Sequence, residues 1–161
     1  MAVVVVNIKY AASTAITCTL ASLAQAGARE CTALVNTTNL YLDAMVYLAI
    51  PLQTGTPAAQ KAINVYFYGS EDATNFTDNA TGTDAAVTLR SPTNLRGPFV
   101  ISTPTSGALT YKAVIPSVAF YFNGILPSKW GFVVENQTNL TFNATEGNLI
   151  KTYTGITQTL T

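Results

Sequence analysis

The chain has 161 residues, a length that suits one domain with a real hydrophobic core. Apolar residues make up 48% of the chain and charged residues only 10%, against roughly 25% in ordinary soluble domains. Eight basic residues balance eight acidic ones, no basic patch for nucleic acid stands out, and no apolar run reaches the roughly 18 residues of a membrane span, so neither nucleic acid nor membrane is expected as a partner.

The N-terminal segment is rich in β-branched residues. Residues 3–10 predict a strand, and residues 1–12 are either the first strand of the domain or an arm that docks on a neighbouring chain. The segment lacks the cationic start and the long apolar run of a signal peptide, so we expect synthesis in a cytoplasm. Cys18 and Cys31 are the only cysteines. A disulfide between them stays possible, but a cytoplasmic chain more often keeps two buried thiols.

The segments up to residue 52 alternate apolar and polar residues. Residues 15–23 suit a strand or a short helix, and the alternation of threonines with apolar residues favours the strand. Residues 31–35 predict a short edge strand. Residues 40–52 form the longest apolar segment, with a period of two. Its inner face is predicted to be wholly apolar: Leu40, Leu42, Ala44, Val46, Leu48 and Ile50.

The rest of the chain continues as short strands between turns rich in Gly, Pro, Asn and Thr. The predicted strands span residues 62–68, 86–89, 94–101, 110–114, 117–122, 130–135 and 149–158. No amphipathic helix is predicted anywhere. This spacing predicts an all-β fold, a single-domain antiparallel β-sandwich of the jelly-roll type over residues 1–161.

The polar stretch after residue 70 holds the densest acidic cluster. Glu71, Asp72, Asp78 and Asp84 do not match the spacing of an EF-hand calcium loop. The stretch therefore reads as a hydrated loop that follows a strand. Neither a metal site nor a cofactor is predicted.

Catalysis has little support in the sequence. The chain has no histidine, which removes the commonest general base, and it has no nucleophile elbow or phosphate loop. Glu30, Asp43 and Glu135 are candidates for paired carboxylates, but nothing in the sequence brings two of them together. Asp43 is expected to be satisfied by Arg29 or by backbone amides. We therefore expect a protein that is not an enzyme.

Aromatic residues suggest a rival function. Tyr66 and Tyr68 share one face of a predicted strand, and Tyr41 and Tyr47 share another. Such pairs, or the single tryptophan Trp130, would suit stacking on sugar rings in a glycan-binding module. Tyrosine on a strand is equally common in sheet packing and in protein interfaces.

Three phrases of the sequence carry a family resemblance: NTTNLYLDAMVYLAI at residues 36–50, NVYFYGSEDATNFTDNATGTDAAVTL at 64–89 and LPSKWGFVVENQT at 126–138. Over residues 20–158 the chain resembles small virion structural proteins of tailed bacteriophages. The resemblance implies a capsid decoration (cement) protein on the virion surface, which binds across major capsid protein subunits and self-associates as a dimer or trimer. A tail, head–tail or fibre-associated protein is the alternative.

Two segments are candidate contacts with neighbouring chains. The apolar N-terminal run would add a strand to a neighbour, and the aromatic residues between 119 and 130 would anchor an interface; an ordinary place in the subunit's own strands or core is the alternative for both. The candidate interface residues are Val3, Val4, Val5, Val6, Tyr66, Tyr68, Phe120, Phe122 and Trp130.

Overall fold

The chain folds almost entirely into β-strands in a computed structural model that describes residues 5–58, 61–104 and 110–160. These residues form eleven strands and two short 3-10 helices, at Ala119–Phe122 and Glu146–Asn148. None of them forms a helix long and apolar enough to cross a membrane. The strands are β1 Val6–Tyr10, β2 Thr14–Ala15, β3 Ala28–Glu30, β4 Leu34–Val35, β5 Asp43–Pro51, β6 Lys61–Ser70, β7 Ala85–Ala86, β8 Arg96–Thr103, β9 Thr110–Ile115, β10 Lys129–Asn136 and β11 Ile150–Leu160.

The strands build two antiparallel sheets. Sheet I has the order β1-β11-β5-β9, and β2 also pairs with β11. Sheet II has the order β7-β3-β10-β6-β8, and β4 also pairs with β10. The described residues therefore confirm the predicted all-β antiparallel sandwich.

The pairing is nested along the chain. The innermost pair is β6 with β8, followed outward by β5 with β9, β3 with β10, and β1 with β11. Successive pairs alternate between sheet II and sheet I, as in one long hairpin rolled into two layers. This is the topology of a jelly roll, which agrees with the prediction.

The core lies between the two sheets. On β5, the residues Ala44, Val46, Leu48 and Ile50 have no exposed surface, as the period-two pattern predicted. They face a layer of sheet II in which Val65, Phe67, Phe132 and Val134 are equally buried. Trp130 of sheet II meets Tyr153 of sheet I edge to face, with ring centroids 5.9 Å apart. Leu40 and Leu42, which continue the same alternation, lie before β5 begins and are exposed.

The outer face of sheet II is covered by the polar stretch after β6. Tyr68, Val133 and Leu95 form a second buried cluster on this face, and Phe76 from the loop packs against it. The rings of Tyr68 and Phe76 meet edge to face, with centroids 5.5 Å apart. The stretch is therefore more than the hydrated loop that its composition suggested, because it forms a lid over an apolar sheet face.

Three segments predicted as strands take mostly other structures. Of residues 86–89, only Ala86 lies in a strand. Residues 117–122 contain the 3-10 helix, because the Ser117 hydroxyl accepts the N–H of Phe120 and the Asp43 carboxylate accepts the N–H of Ala119. Of residues 15–23, only Ala15 lies in a strand. Ile16, Cys18 and Leu20 are nevertheless buried, as the predicted period of two requires. The segment has this alternation without being paired as a strand beyond Ala15.

A disulfide joins Cys18 to Cys31, whose Cα atoms are 4.3 Å apart. The sequence left this pairing open and favoured reduced thiols. The structure corrects that preference, because the bend at residues 21–27 returns the chain so that the two buried cysteines meet. The bond ties the irregular segment after β2 to the end of β3.

Loss of the disulfide is expected to destabilise the fold. Closing a loop of this length restricts the unfolded chain and contributes about 3 kcal/mol to the free energy of unfolding. The double variant Cys18→Ala/Cys31→Ala should therefore unfold at lower denaturant concentration than the wild type, as followed by circular dichroism. A reducing agent should lower the wild-type midpoint and leave that of the variant unchanged. Equal midpoints for the oxidised and reduced wild type would contradict the expectation.

Gly131 is a position where a side chain should not fit. It lies opposite Tyr68 in the β10–β6 register, and a Cβ added there would lie 2.4 Å from the Tyr68 ring. Tyr68 has no room to move because it is fully buried and its hydroxyl donates to the Cys31 carbonyl. Gly131→Ala should therefore cost about 1–3 kcal/mol of stability through overpacking.

Gly147 provides the matched control, because a Cβ added there would meet nothing within 4 Å. Gly147→Ala is expected to change the free energy of unfolding by less than about 0.5–1 kcal/mol. Chemical denaturation of both variants gives the comparison. Similar losses in the two variants would show that the Tyr68 contact does not limit position 131.

Candidate interaction surface

One end of the sandwich carries an exposed apolar surface. Leu40, Leu42, Phe120 and Ile125, which we call the end patch, are 71%, 49%, 74% and 75% exposed. They line one groove of about 990 Å³. Among the residues that the structure describes, Asp43 is the one charged residue lining this groove. Because the four side chains line the same groove, they form a candidate contact site and are not scattered singly over the surface.

Local hydrogen bonds hold one side of the end patch in place. The side-chain amide of Asn36 donates to the Tyr41 carbonyl, and its oxygen accepts the Tyr41 N–H. This clamp closes the turn in which Leu40 takes a left-handed backbone conformation, with φ of 51°. A leucine rarely adopts this conformation unless surrounding contacts hold it there. The clamp therefore presents Leu40 to solvent.

A carboxylate anchors the other side of the patch. Asp43 at the start of β5 accepts the N–H of Ala119 at 2.8 Å and that of Ala44 at 2.7 Å. The expectation that backbone amides would satisfy Asp43 is confirmed, and Arg29 bonds Asp84 instead. The anchored 3-10 helix displays Phe120 outward while Tyr121 stacks on Phe67 of the core, with centroids 4.5 Å apart.

A two-stranded ribbon continues the apolar surface. β11 pairs with β5 over residues 150–156 and with β1 over residues 156–160. Among the described residues, the last part of β11 therefore has β1 as its strand neighbour and extends past β5. We call residues 6–10 and 156–160 the ribbon. Leu160 of the ribbon lines a hollow together with Leu40 and Leu42, so ribbon and end patch adjoin.

The predicted interface residues fall into three groups. Val5, Val6 and Phe120 are exposed, and Phe122 and Tyr66 are half-buried. Tyr68 and Trp130 are 0% and 1% exposed. These two residues belong to the subunit's own core, the alternative that the sequence left open. Val3 and Val4 lie outside the described residues.

The sequence missed three of the surface residues: Leu40, Leu42 and Ile125. Leu40 and Leu42 matched the buried face of a strand, and nothing in the sequence places the start of β5 after them. Ile125 follows Asn123 and Gly124, whose φ values of 57° and 90° reverse the chain beyond the helix. That Asn-Gly pair was the signal available for an exposed turn.

The tyrosines proposed for sugar stacking do not form an open platform. Tyr68 is buried under the loop lid, and the Tyr66 hydroxyl donates to the Glu135 carboxylate. Burial, with the nearby Glu135 charge, raises the pKa of Tyr66. The Tyr66–Tyr68 pair therefore offers no stacking platform, Trp130 is buried, and the second pair, Tyr41 and Tyr47, is half-buried.

The acidic residues of the loop serve as structural anchors. Asp72 accepts the N–H groups of Thr74 and Asn75, which lower the pKa of its carboxyl. Asp78 accepts the hydroxyl of Thr93 and the N–H of Asn94, and its pKa is lowered, first by Thr93. No group of three or more His, Cys, Asp or Glu residues suited to a metal ion occurs within the described ranges.

Asp84 ties the end of the loop to the sandwich. It lies 2.6 Å from the Arg29 guanidinium on β3 and accepts the N–H of Thr19 at 2.9 Å. Burial alone would raise the pKa of Asp84, but the hydrogen bonds from Arg29 and Thr19 outweigh it and lower the pKa below the ordinary 3.8. The folded state therefore binds fewer protons at this carboxyl than the unfolded state.

The depressed pKa of Asp84 predicts a loss of stability in acid. The contribution of the Asp84 carboxylate to the free energy of unfolding is complete above the ordinary pKa of 3.8. This contribution disappears as pH falls through the lower pKa of the folded protein. Asp84→Asn should thus be less stable than the wild type at neutral pH, and the gap should narrow below about pH 4. Denaturant unfolding at a series of pH values measures the gap, and a gap that does not vary with pH would contradict the assignment.

The chain was also compared with known proteins. No family model, no curated protein and no solved structure matches it.

Proposed function

We propose that the protein is a non-enzymatic structural component of a tailed-phage virion, a capsid decoration protein that binds across neighbouring major capsid protein subunits. The observation that carries this proposal is the end patch, with its four exposed apolar side chains beside the ribbon. The resemblance of residues 20–158 to phage virion proteins supports the same assignment. The jelly roll is a fold that viral capsid proteins use, although it also serves other functions.

The energetics suit attachment to a repeated lattice. Full burial of a large apolar side chain contributes about 1.5–3 kcal/mol, so four such residues supply the core of a specific contact. A standard interface buries about 1,600 Å² in total, which the patch and its rim would share with the capsid. Many equivalent copies acting on one shell then stiffen it even when each contact is modest.

The charge distribution of the protein also favours this function. The formal net charge is zero and Asp43 is the charged side chain lining the groove. A surface that must lie against other proteins tolerates few uncompensated charges, because each loses its water on binding. Asp72, Asp78 and Asp84 of the loop lid, in contrast, accept hydrogen bonds within the subunit.

Binding to particles that lack the protein provides the test. Phe120→Asp and Ile125→Asp should each weaken binding about tenfold or more, because they bury a charge in an apolar contact. Val114→Asp is the matched control: Val114 is 56% exposed on β9 and lies outside the end patch. Co-sedimentation with capsids measures binding, and electron microscopy locates the bound copies.

Copies spread over the whole shell would support a decoration protein. Copies confined to the neck or tail would replace it with the tail or head–tail alternative. Equal binding by Phe120→Asp, Ile125→Asp and Val114→Asp would remove the end patch as the contact. No binding of the wild-type protein to any part of the particle would overturn the proposal.

A further inference from the structure

β1 is an exposed edge strand. It lies at the end of sheet I, and all five of its residues, Val6–Tyr10, are exposed. The edges of sheet II carry features that prevent strand pairing: β7 has two residues, and β8 carries Arg96, Pro98 and a register shift opposite β6. β9, the other edge of sheet I, carries Lys112 near its middle. β1 carries one charged residue, Lys9, and has neither proline nor bulge. Among the described residues β11 is its strand partner, so its other edge is available to a second strand.

The pairing of β1 with β11 determines which backbone N–H and C=O groups of β1 point toward the free edge. The N–H of Ala11 donates to the Gly155 carbonyl at 2.9 Å, which makes this a hydrogen-bonded pair. Antiparallel pairs alternate between bonded and non-bonded. With Tyr10 opposite Ile156, the backbone groups of Val6, Ile8 and Tyr10 therefore point away from β11, toward the free edge.

The sequence of β1 is compatible with pairing to itself. A two-fold axis through Ile8 sets Ile8 against the second copy's Ile8, Val6 against its Tyr10 and Asn7 against its Lys9. The three outward-facing pairs would each exchange two backbone hydrogen bonds. No like charges meet, whereas an axis through Lys9 would set two ammonium groups opposite each other, which destabilises a strand pair.

We propose that two copies of the chain associate through antiparallel pairing of β1 about a two-fold axis at Ile8, which joins their two sheets I into one continuous sheet. Such a contact uses the same surface on both copies and closes at two, so it gives a dimer and not a trimer. The inference rests on strand geometry and goes beyond the virion proposal, so either can fail without the other.

The size of the contact sets its strength. Five residues from each strand bury less than a standard interface, so the dimer dissociates on dilution. The apolar side chains of Val6, Ile8 and Tyr10, which are 53%, 63% and 58% exposed, form cross-strand pairs in the dimer. The wild-type protein should therefore shift from monomer to dimer with rising concentration in analytical ultracentrifugation.

A charge exchange at the axis tests the register. Ile8→Lys and Ile8→Glu should each be monomeric, because each sets two like charges opposite each other. An equimolar mixture of the two variants should restore the dimer, since unlike charges then meet at the axis. Ile8→Val is the matched control and should associate like the wild type, and circular dichroism verifies that every variant is folded.

A proline variant tests the backbone hydrogen bonds of the dimer separately from its side-chain contacts. Ile8→Pro removes an N–H that points away from β11, so the β1–β11 ladder remains while the central bonds of the dimer are lost. This variant should be a folded monomer. A wild type that stays monomeric at all concentrations, forms a trimer, or dimerises as strongly with Ile8→Pro would overturn the proposal, as would a charge-swap mixture that stays monomeric.

Discussion

The buried carboxylate of Glu30 holds the loop lid on sheet II and so keeps one apolar sheet face covered. It is 1% exposed and accepts the N–H groups of Thr81 and Gly82 together with the Thr81 hydroxyl. A buried carboxylate is costly unless such donors surround it, so the loop that supplies them is held firmly on sheet II. The loop in turn covers Tyr68 and the apolar cluster around it. The end patch and the ribbon, in contrast, stay exposed beside each other at one end of the sandwich.

The strands and their inward faces were largely predictable from the sequence. On β5, the period of two depends only on neighbouring residues, so Ala44, Val46, Leu48 and Ile50 could be placed correctly. The limits of β5 could not, because they depend on where β9 and β11 pair with it. Leu40 and Leu42 continue the pattern without a sheet to cover them, and they became part of the candidate site.

Other features depend on long-range contacts that local patterns do not contain. Tyr68 shares a face with Tyr66. Its burial follows from a largely polar loop whose one large apolar residue, Phe76, packs against the Tyr68 ring. The pairing of Cys18 with Cys31 depends on the path of the chain between them. The helix at residues 119–122 depends on Asp43, 76 residues away in the sequence. In each case the residues could be read from the sequence, but their contacts across the fold could not.

The near absence of charge at the end patch has a consequence for how attachment responds to conditions. Ion pairs weaken with salt, whereas contacts made by removing apolar surface from water depend little on it. Apolar contacts instead lose strength on cooling, because their driving force near room temperature is the entropy of released water. A subunit held through Leu40, Phe120 and Ile125 would therefore stay attached in brines and detach more readily in the cold.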